Sequence, residues 1–355
     1  MPLGEALANL CAKLKAQPNM PELEDHFTEI MDRNFSFVLE GQEAAAVAVS
    51  GGPDSLALMD LLYGWSSKRN IALHVLTVDH GLRPEAKAEA DQVAKLCKSY
   101  HGITHKTLKW HHKEKTSSRI QEAAREARYQ LFSAYMKTHN IKYLFLGHHM
   151  DDQAETFLFR LAKGSGLKGL SCMSMRQEMG DNIILCRPLL DIQKQELIQY
   201  CKDKGLNFVN DPSNDLENFA RVRLRKSIPI LEREGLSAKR VSRTAARLKR
   251  AEEALDEISE NILNNSILEI ETNRIVLDFE ALENQPLEIG FRVIQKAMEK
   301  LGDQGKSYAP RMEKVEALFD DLMKPSGFRK RTLGGVIFEQ KVKEGQKTIV
   351  LTREQ

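Results

Sequence analysis

The chain has 355 residues, 29% of them charged, and its 52 Lys and Arg against 50 Asp and Glu leave a formal net charge of +2. That length allows about two or three domains with separate cores, and the near balance of charge excludes any case for a nucleic-acid partner from global charge alone. Five cysteines, at 11, 97, 172, 186 and 201, form no CxxC pair and read as reduced thiols; Glu5 interrupts any leader-like start, and no apolar run approaches the ~18 residues of a membrane span. The expectation is a soluble cytoplasmic protein.

In chain order, strand-like runs at 44–49, 71–78, 103–110 and 141–147 alternate with helical patterns at 54–69, 84–101 and 117–139. Such alternation predicts a doubly wound parallel sheet with crossover helices. A further βα unit follows, NIILCRPLL (182–190) and then a helix that Asp191 is placed to cap and Gly205 to stop. Turn-formers and a basic run at 211–229 end the α/β pattern, and long helical patterns without strands follow. The division is therefore a catalytic domain over 1–212 with an N-terminal helical extension over 1–40, a helical basic domain over 213–305, and a small C-terminal α+β region over 306–355. In the last, GGVIFEQKV and KTIVLTRE read as two strands about a glycine-containing turn.

The chemistry starts at Ser50-Gly51-Gly52-Pro53-Asp54-Ser55, between the first strand and its helix. In a doubly wound sheet ligands bind at such carboxyl ends of strands. Glycines let backbone N–H groups approach an anion, and the helix N-terminus offers more of them. Asp54 beside phosphate calls for a divalent cation between the two, because bare carboxylate and phosphate repel. The loop is neither GxxxxGK[ST] nor GxGxxG, so transfer of a γ-phosphate is not indicated.

A second cluster, LGHHMDDQAETFLF, follows the fourth strand and opens a helix. Asp152 and Glu155, three apart, project from one face of its first turn and suit a cationic substrate or a metal. Capping and solvation remain the plain alternative for both acids, and His148, His149, Asp151 and Asp152 leave a transition-metal site open. Arg125 and Arg128, in AREAR, are candidates for phosphate contact, with ion pairing to Glu122 or Glu126 as the alternative.

SGGPDS resembles the PP-loop of the ATP pyrophosphatase superfamily, in which attack falls on the α-phosphate of ATP. Together with VDHGLRPEA (78–86), IQEAAREARYQLF (120–132), LGHHMDDQAET, KGSGLKGL, RPLL (187–190) and DPSND followed by RVRLR, it resembles the ordered motif set of the tRNA(Ile)-lysidine synthetases. The resemblance covers about residues 44–225. It implies a ligase that adenylates the C2 carbonyl oxygen of the wobble cytidine in the CAU anticodon of isoleucine tRNA. The amine of free L-lysine then displaces AMP, and codon specificity passes from AUG to AUA. It further implies ATP and Mg²⁺ as cofactors: Ser50, Gly51, Gly52, Pro53, Asp54 and Ser55 on the pyrophosphate, Asp54 on Mg²⁺, and His80 and Arg83 toward the nucleotide. Arg125 and Arg128 then face phosphate or the adenylated intermediate, while Asp152 and Glu155 hold lysine. One departure is the sequence Arg221-Val222-Arg223-Leu224-Arg225, where the family often carries an Asn after the first arginine.

From 221 to 250 there are eleven Lys and Arg against two Glu, and Arg240, Arg243 and Arg247 fall on one helical face beside Val241, Ala245 and Leu248. With Arg221, Arg223 and Arg225 they are candidates for the tRNA backbone, against a solvated helix face. Two rival readings stay open here. A PP-loop tRNA thiolase of the 2-thiocytidine type shares the loop but typically uses paired cysteines. A non-catalytic nucleotide- or RNA-binding module has no use for Asp54 combined with Asp152 and Glu155.

Overall fold

The computed structural model describes residues 23–36, 41, 43–81, 85–111, 120–209, 220–302, 310–324, 327–343 and 345–354. The chain forms two compact units that divide between Ala246 and Arg247.

In the first unit the elements run α1 (Leu23–Asn34), β1 (Ala44–Ala48), α2 (Pro53–Ser67), β2 (Ala72–Asp79), α3 (Glu85–Cys97), β3 (Ile103–Lys109), α4 (Ile120–Thr138), β4 (Tyr143–Phe145), α5 (Met150–Ala162), the short α6 (Leu167–Leu170), β5 (Arg176–Glu178), β6 (Ile184–Cys186), α7 (Lys194–Asp203) and α8 (Ala220–Arg233). The strands form one sheet in the order β3-β2-β1-β4-β6-β5, parallel except for the edge strand β5, which pairs antiparallel with β6. β1 is apolar throughout because both faces of the sheet are covered. Ala45 and Val47 join the core under α1, α2 and α7, while Ala46 joins the core under α4 with Phe132, Met136 and Leu144. Chain order reverses direction between β1 and β4, and the loops leaving those two strands therefore flank the crevice where such sheets bind ligands.

The expected doubly wound architecture is present, with two local differences. The helix after β6 is capped by Gln193 rather than Asp191: Glu196 Oε2 accepts the Gln193 N–H at 2.9 Å in a capping box, and Gly205 ends the turn at φ +65°. β5 has no counterpart in the sequence reading, because three exposed residues, Arg-Gln-Glu, carry no apolar pattern.

The long helix α9 (Ala238–Ser266) contains the unit boundary. The second unit continues with β7 (Ile267–Glu271), β8 (Arg274–Asp278), α10 (Phe279–Glu283), α11 (Leu287–Leu301), α12 (Met312–Leu322), β9 (Arg331–Leu333), β10 (Val336–Lys343) and β11 (Gln346–Arg353). The β10–β11 hairpin is the one expected from the tail, but it is the centre of a five-stranded antiparallel sheet ordered β7-β8-β11-β10-β9. The stretch read as strand-free thus contains β7 and β8, and Ile349 and Leu351 of β11 share a core with Ile275 and Leu277 of β8 and with Val293, Ile294 and Ala297 of α11. Arg292 on α11 is buried against Glu252 of α9 through two bonds of 3.0 and 2.7 Å and also bonds Glu288 at 2.7 Å. Pairing with Glu252 first, and Glu288 second, raises its pKa further.

Candidate functional site

The loop after β1 is held open as a cradle. Gly51 has φ +91°, a left-handed conformation in which a side chain is strained, and a Cβ there would also stand 3.5 Å from Val93 Cγ2. Its carbonyl accepts the Val209 N–H at 3.0 Å, which ties the loop to the chain after α7. Ser55 is buried; its hydroxyl accepts the Ser50 N–H at 3.2 Å, donates to the Gly52 carbonyl at 3.0 Å and lies 3.3 Å from the Ser50 hydroxyl. Pro53 sits in the first turn of α2, where its missing N–H costs nothing, and the Gly52 cap makes no side-chain bond to the turn. The first N–H groups of α2 are thereby left facing the crevice, the arrangement that receives phosphate.

α5 begins on the other side of the crevice. Gly147 lets the two loops meet: a Cβ there would come within 3.2 Å of the Asp54 carbonyl carbon and oxygen and of the Ser55 nitrogen. The contact brings His149, the cap of α5, between the acids of both loops. Its Nε2 lies 3.5 Å from Asp54 Oδ2 and 3.5 Å from Asp152 Oδ2, and its Nδ1 lies 3.6 Å from Asp151 Oδ2. Burial opposes the charge, but Asp151, Asp54 and Asp152 prevail and push the His149 pKa up to about 10. Asp151 goes the other way: against its own burial, His149 and the Lys194 N–H at 2.9 Å lower its pKa. His148 is also buried, and desolvation holds it down at about 4 despite the pull of Asp152, with Arg187 and Arg125 acting in the same downward sense. Adjacent histidines are thus held in opposite protonation states, one an imidazolium among carboxylates and one neutral.

Asp152 and Glu155 share the expected face of the first turns of α5, and Glu155 is buried. Between them Gln153 clamps the backbone of the next loop, donating to the Met173 carbonyl at 2.8 Å and accepting the Met173 N–H at 2.9 Å. Arg160 donates to the Gly169 carbonyl at 2.7 Å and holds the glycine run in place. Arg128 reaches His80 at 3.2 Å, and His80 stands edge-on to Trp110 with ring centroids 6.1 Å apart. Burial, and then the neighbouring Arg125 charge, lowers the Arg128 pKa against the opposing influence of Tyr129. Arg125 lies over the Tyr129 ring at 5.4 Å and lines a cleft beside α4.

Asp54 Oδ1 is buried and has no hydrogen-bond partner among the described residues. An orphaned carboxylate oxygen beside a phosphate cradle fits Mg²⁺, which takes one or two carboxylates and fills its shell from phosphates and water. No set of three or more His, Cys, Asp or Glu among the described residues is arranged to hold a metal by itself, and the His148–Asp152 cluster is an ion-paired cap instead. Arg83 lies outside the described residues, as do the side chains of Arg221, Arg223 and Arg225 on α8. Arg240 and Arg243 in the first unit, and Arg247 in the second, are exposed, with Val241 and Ala245 buried as their spacing predicts; Arg240 also donates to the Gly235 carbonyl at 3.0 Å. No helix among the described residues is long and apolar enough to cross a membrane.

His149 is visible in the sequence but the acids it bridges are not, and neither the close approach at Gly147 nor the Gln153 clamp has a motif of its own. The only local signal was a glycine directly after a strand end in LGHH.

A phosphate cradle with an acid at the helix start, at the switch point of a parallel sheet, defines a PP-loop protein, and residues 20–231 match the family model described as a PP-loop domain. The tRNA(Ile)-lysidine synthase of Rhodopseudomonas palustris is 40% identical over 306 residues, covering 83% of this chain and 87% of that one. That of the Wolbachia pipientis strain wMel is 34% identical over 310 residues, covering 87% and 70%. The chain belongs to the tRNA(Ile)-lysidine synthase family, and its enzyme class is that of an ATP-dependent ligase. The fold is also that of the U34-tRNA thiolase NcsA from Methanococcus maripaludis, at a TM-score of 0.55 and 19% identity over 67% of this chain and 84% of that one, a likeness of fold alone.

Proposed function

We propose that the protein joins L-lysine to C2 of the wobble cytidine in the CAU anticodon of an isoleucine tRNA in the cytoplasm, using ATP and Mg²⁺ and releasing AMP and pyrophosphate. What most directly supports one site for both half-reactions is His149: within 3.5 Å on each side it joins Asp54 of the ATP loop to Asp152 of the acidic pair.

In the first step the cytidine O2 attacks the α-phosphorus and pyrophosphate leaves. Ser50, Gly51, Gly52 and Ser55 bind the leaving pyrophosphate through backbone N–H groups and hydroxyls, Pro53 shapes the loop by opening the helix beside them, and Asp54 would hold Mg²⁺, which when bound neutralises phosphate charge. Arg128 and His80 serve the nucleotide, a role also assigned to Arg83, and Arg125 serves the adenylated RNA. In the second step a lysine amine attacks C2 and AMP leaves with the C2 oxygen. Asp152 and Glu155 orient the diamine by charge, and a carboxylate there accepts the proton that the attacking amine loses. The flipped cytidine of an anticodon loop is accessible without opening a duplex. Arg221, Arg223, Arg225, Arg240, Arg243 and Arg247 contact tRNA phosphates.

Among the described residues the cysteines do not favour the thiolase reading. Burial pushes the thiols of Cys97, Cys172 and Cys201 up to about 11 and that of Cys186 up to about 12. Thiols so protonated at neutral pH are poor sulfur carriers. Incubation with ATP, Mg²⁺, labelled lysine and the CAU transcript should move label into RNA. Absence of transfer, with sulfur incorporated under thiolation conditions, would overturn the reading.

A further inference from the structure

On the face of the sheet covered by α4, a cleft of about 660 Å³ runs between that helix and the β5–β6 hairpin. We propose that it is a subsite for one single-stranded nucleotide of the RNA substrate, the neighbour of the reacting cytidine. Arg125 and Arg187 take its phosphate and Tyr129 stacks on its base. The proposal rests on the functional reading above and adds to it a site that the motifs do not describe.

Arg187 is only 3% exposed. It donates to the Ser174 carbonyl at 2.9 Å and to Gln177 Oε1 at 2.9 Å, while its Nε is buried with no hydrogen-bond partner among the described residues. That Nε is shielded from solvent, so what Arg187 contributes to the cleft wall is its buried positive charge, and an anion in the cleft offsets it. Arg125 lines the same cleft, so two guanidinium groups face it. Of the two carboxylates in the lining, Asp181 is already taken by Lys137 at 2.9 Å and Ser133 at 3.0 Å, which leaves Glu126 alone against two arginines. The unpaired charge is positive, and a phosphodiester matches it.

The remaining lining is suited to a base rather than to an amino acid. Tyr129 is half-buried, its ring carrying Arg125 at 5.4 Å, and Gln130 and Gln177 add carboxamides on the walls. An aromatic ring with a guanidinium beside it, and amides for a base edge, is the chemistry by which unstacked nucleotides are held. The volume falls in the range of small-molecule pockets, ~300–1,000 Å³, ample for one nucleotide. The cleft is also tied to the reaction centre: Gln153, between Asp152 and Glu155, clamps Met173, and the next residue, Ser174, takes the Arg187 bond. Arg125 and Arg128 thereby divide their duties, Arg128 turning to His80 and the nucleotide side, Arg125 to the cleft and the RNA side.

The test uses the full chain and an anticodon stem-loop RNA carrying CAU, in a cycle of Tyr129→Leu against removal of the base on each side of the target cytidine. Tyr129→Leu should raise the KM and Kd for RNA about tenfold, as loss of one stacked base does, and leave the KM values for ATP and lysine unchanged. Removing the base that occupies the cleft should cost the wild type the same factor and cost the variant nothing further. A photoreactive thiolated base at that position should crosslink within 125–137 or 177–187. Additive losses at both neighbouring positions, or an unchanged RNA KM with a raised lysine KM, would overturn the proposal. Arg187→Lys, which keeps the charge but not the fork, should weaken RNA binding in a chain that melts normally; if it unfolds, the Tyr129 cycle decides. RNA binding is read separately from lysine transfer, so a chain that binds RNA through the cleft without transferring lysine refutes the functional reading and not this one.

Discussion

Replacing Gly147 with alanine tests whether the two halves of the site depend on backbone contact. Its φ lies outside the left-handed region, so the substitution is resisted by space alone. The added methyl would stand 3.2 Å from three backbone atoms of Asp54 and Ser55, where carbon contacts prefer ~3.5–4.0 Å. These atoms belong to the first turn of α2 and cannot rotate aside, so helix and loop must separate by a few tenths of an ångström. Overpacking of this kind costs about 1–3 kcal/mol. Because ~1 Å of misplacement costs ~10²-fold in rate, kcat/KM for ATP should fall at least about tenfold. Gly64 supplies the internal control: it lies in the same helix, exposed, with nothing within 4 Å of an added Cβ. Gly64→Ala should stabilise by about 0.5–1 kcal/mol without changing the kinetics. Denaturant unfolding and steady-state kinetics on both variants check the pair. A Gly147→Ala enzyme with full ATP-dependent activity and unchanged stability would refute the close-contact account.

The imidazolium of His149 has a pKa raised from 6.5 to about 10. Its stabilisation is therefore fully present below about 6.5 and lost as pH rises through about 10. In magnesium-free buffer, the stability gap between wild type and His149→Gln should shrink from pH 6 toward pH 10; a gap independent of pH would mean that the ring is neutral. In the second unit, Glu252→Ala removes the bidentate partner of buried Arg292. The loss should be about 3 kcal/mol, the low end of the ~3–5 for a broken buried pair because Glu288 remains, and a loss below about 1 kcal/mol by denaturant melting contradicts it. Neutralising Arg240 and Arg243 should flatten the salt dependence of tRNA binding, by about one unit of slope for each phosphate that the protein no longer neutralises; an unchanged slope in a filter-binding series returns both residues to a solvated face.

What short-range chemistry encodes is legible in the residues alone. Gly51 must be glycine because its own backbone is left-handed, Pro53 is tolerated because it opens a helix, and Asp152 and Glu155 share a face because they are three apart on that helix. Alternating apolar runs were enough for the parallel sheet, and the ordered motifs for the family. Tertiary structure decided whatever depends on which distant segments the sheet order makes neighbours. His149 pairs with Asp54, nearly a hundred residues away, only because β1 and β4 are adjacent, and Gly147 is required only because α2 lies against it. Arg125 and Arg128 read alike in AREAR, yet their positions on α4 turn them toward different partners, Tyr129 and the hairpin cleft for one, His80 for the other. β7 and β8 are short and β7 is largely exposed; β8 takes its place by pairing with β11 about seventy residues later, and β7 by pairing with β8. Periodicity records which face of an element is buried; the partner that buries it is set by packing between segments far apart in the chain.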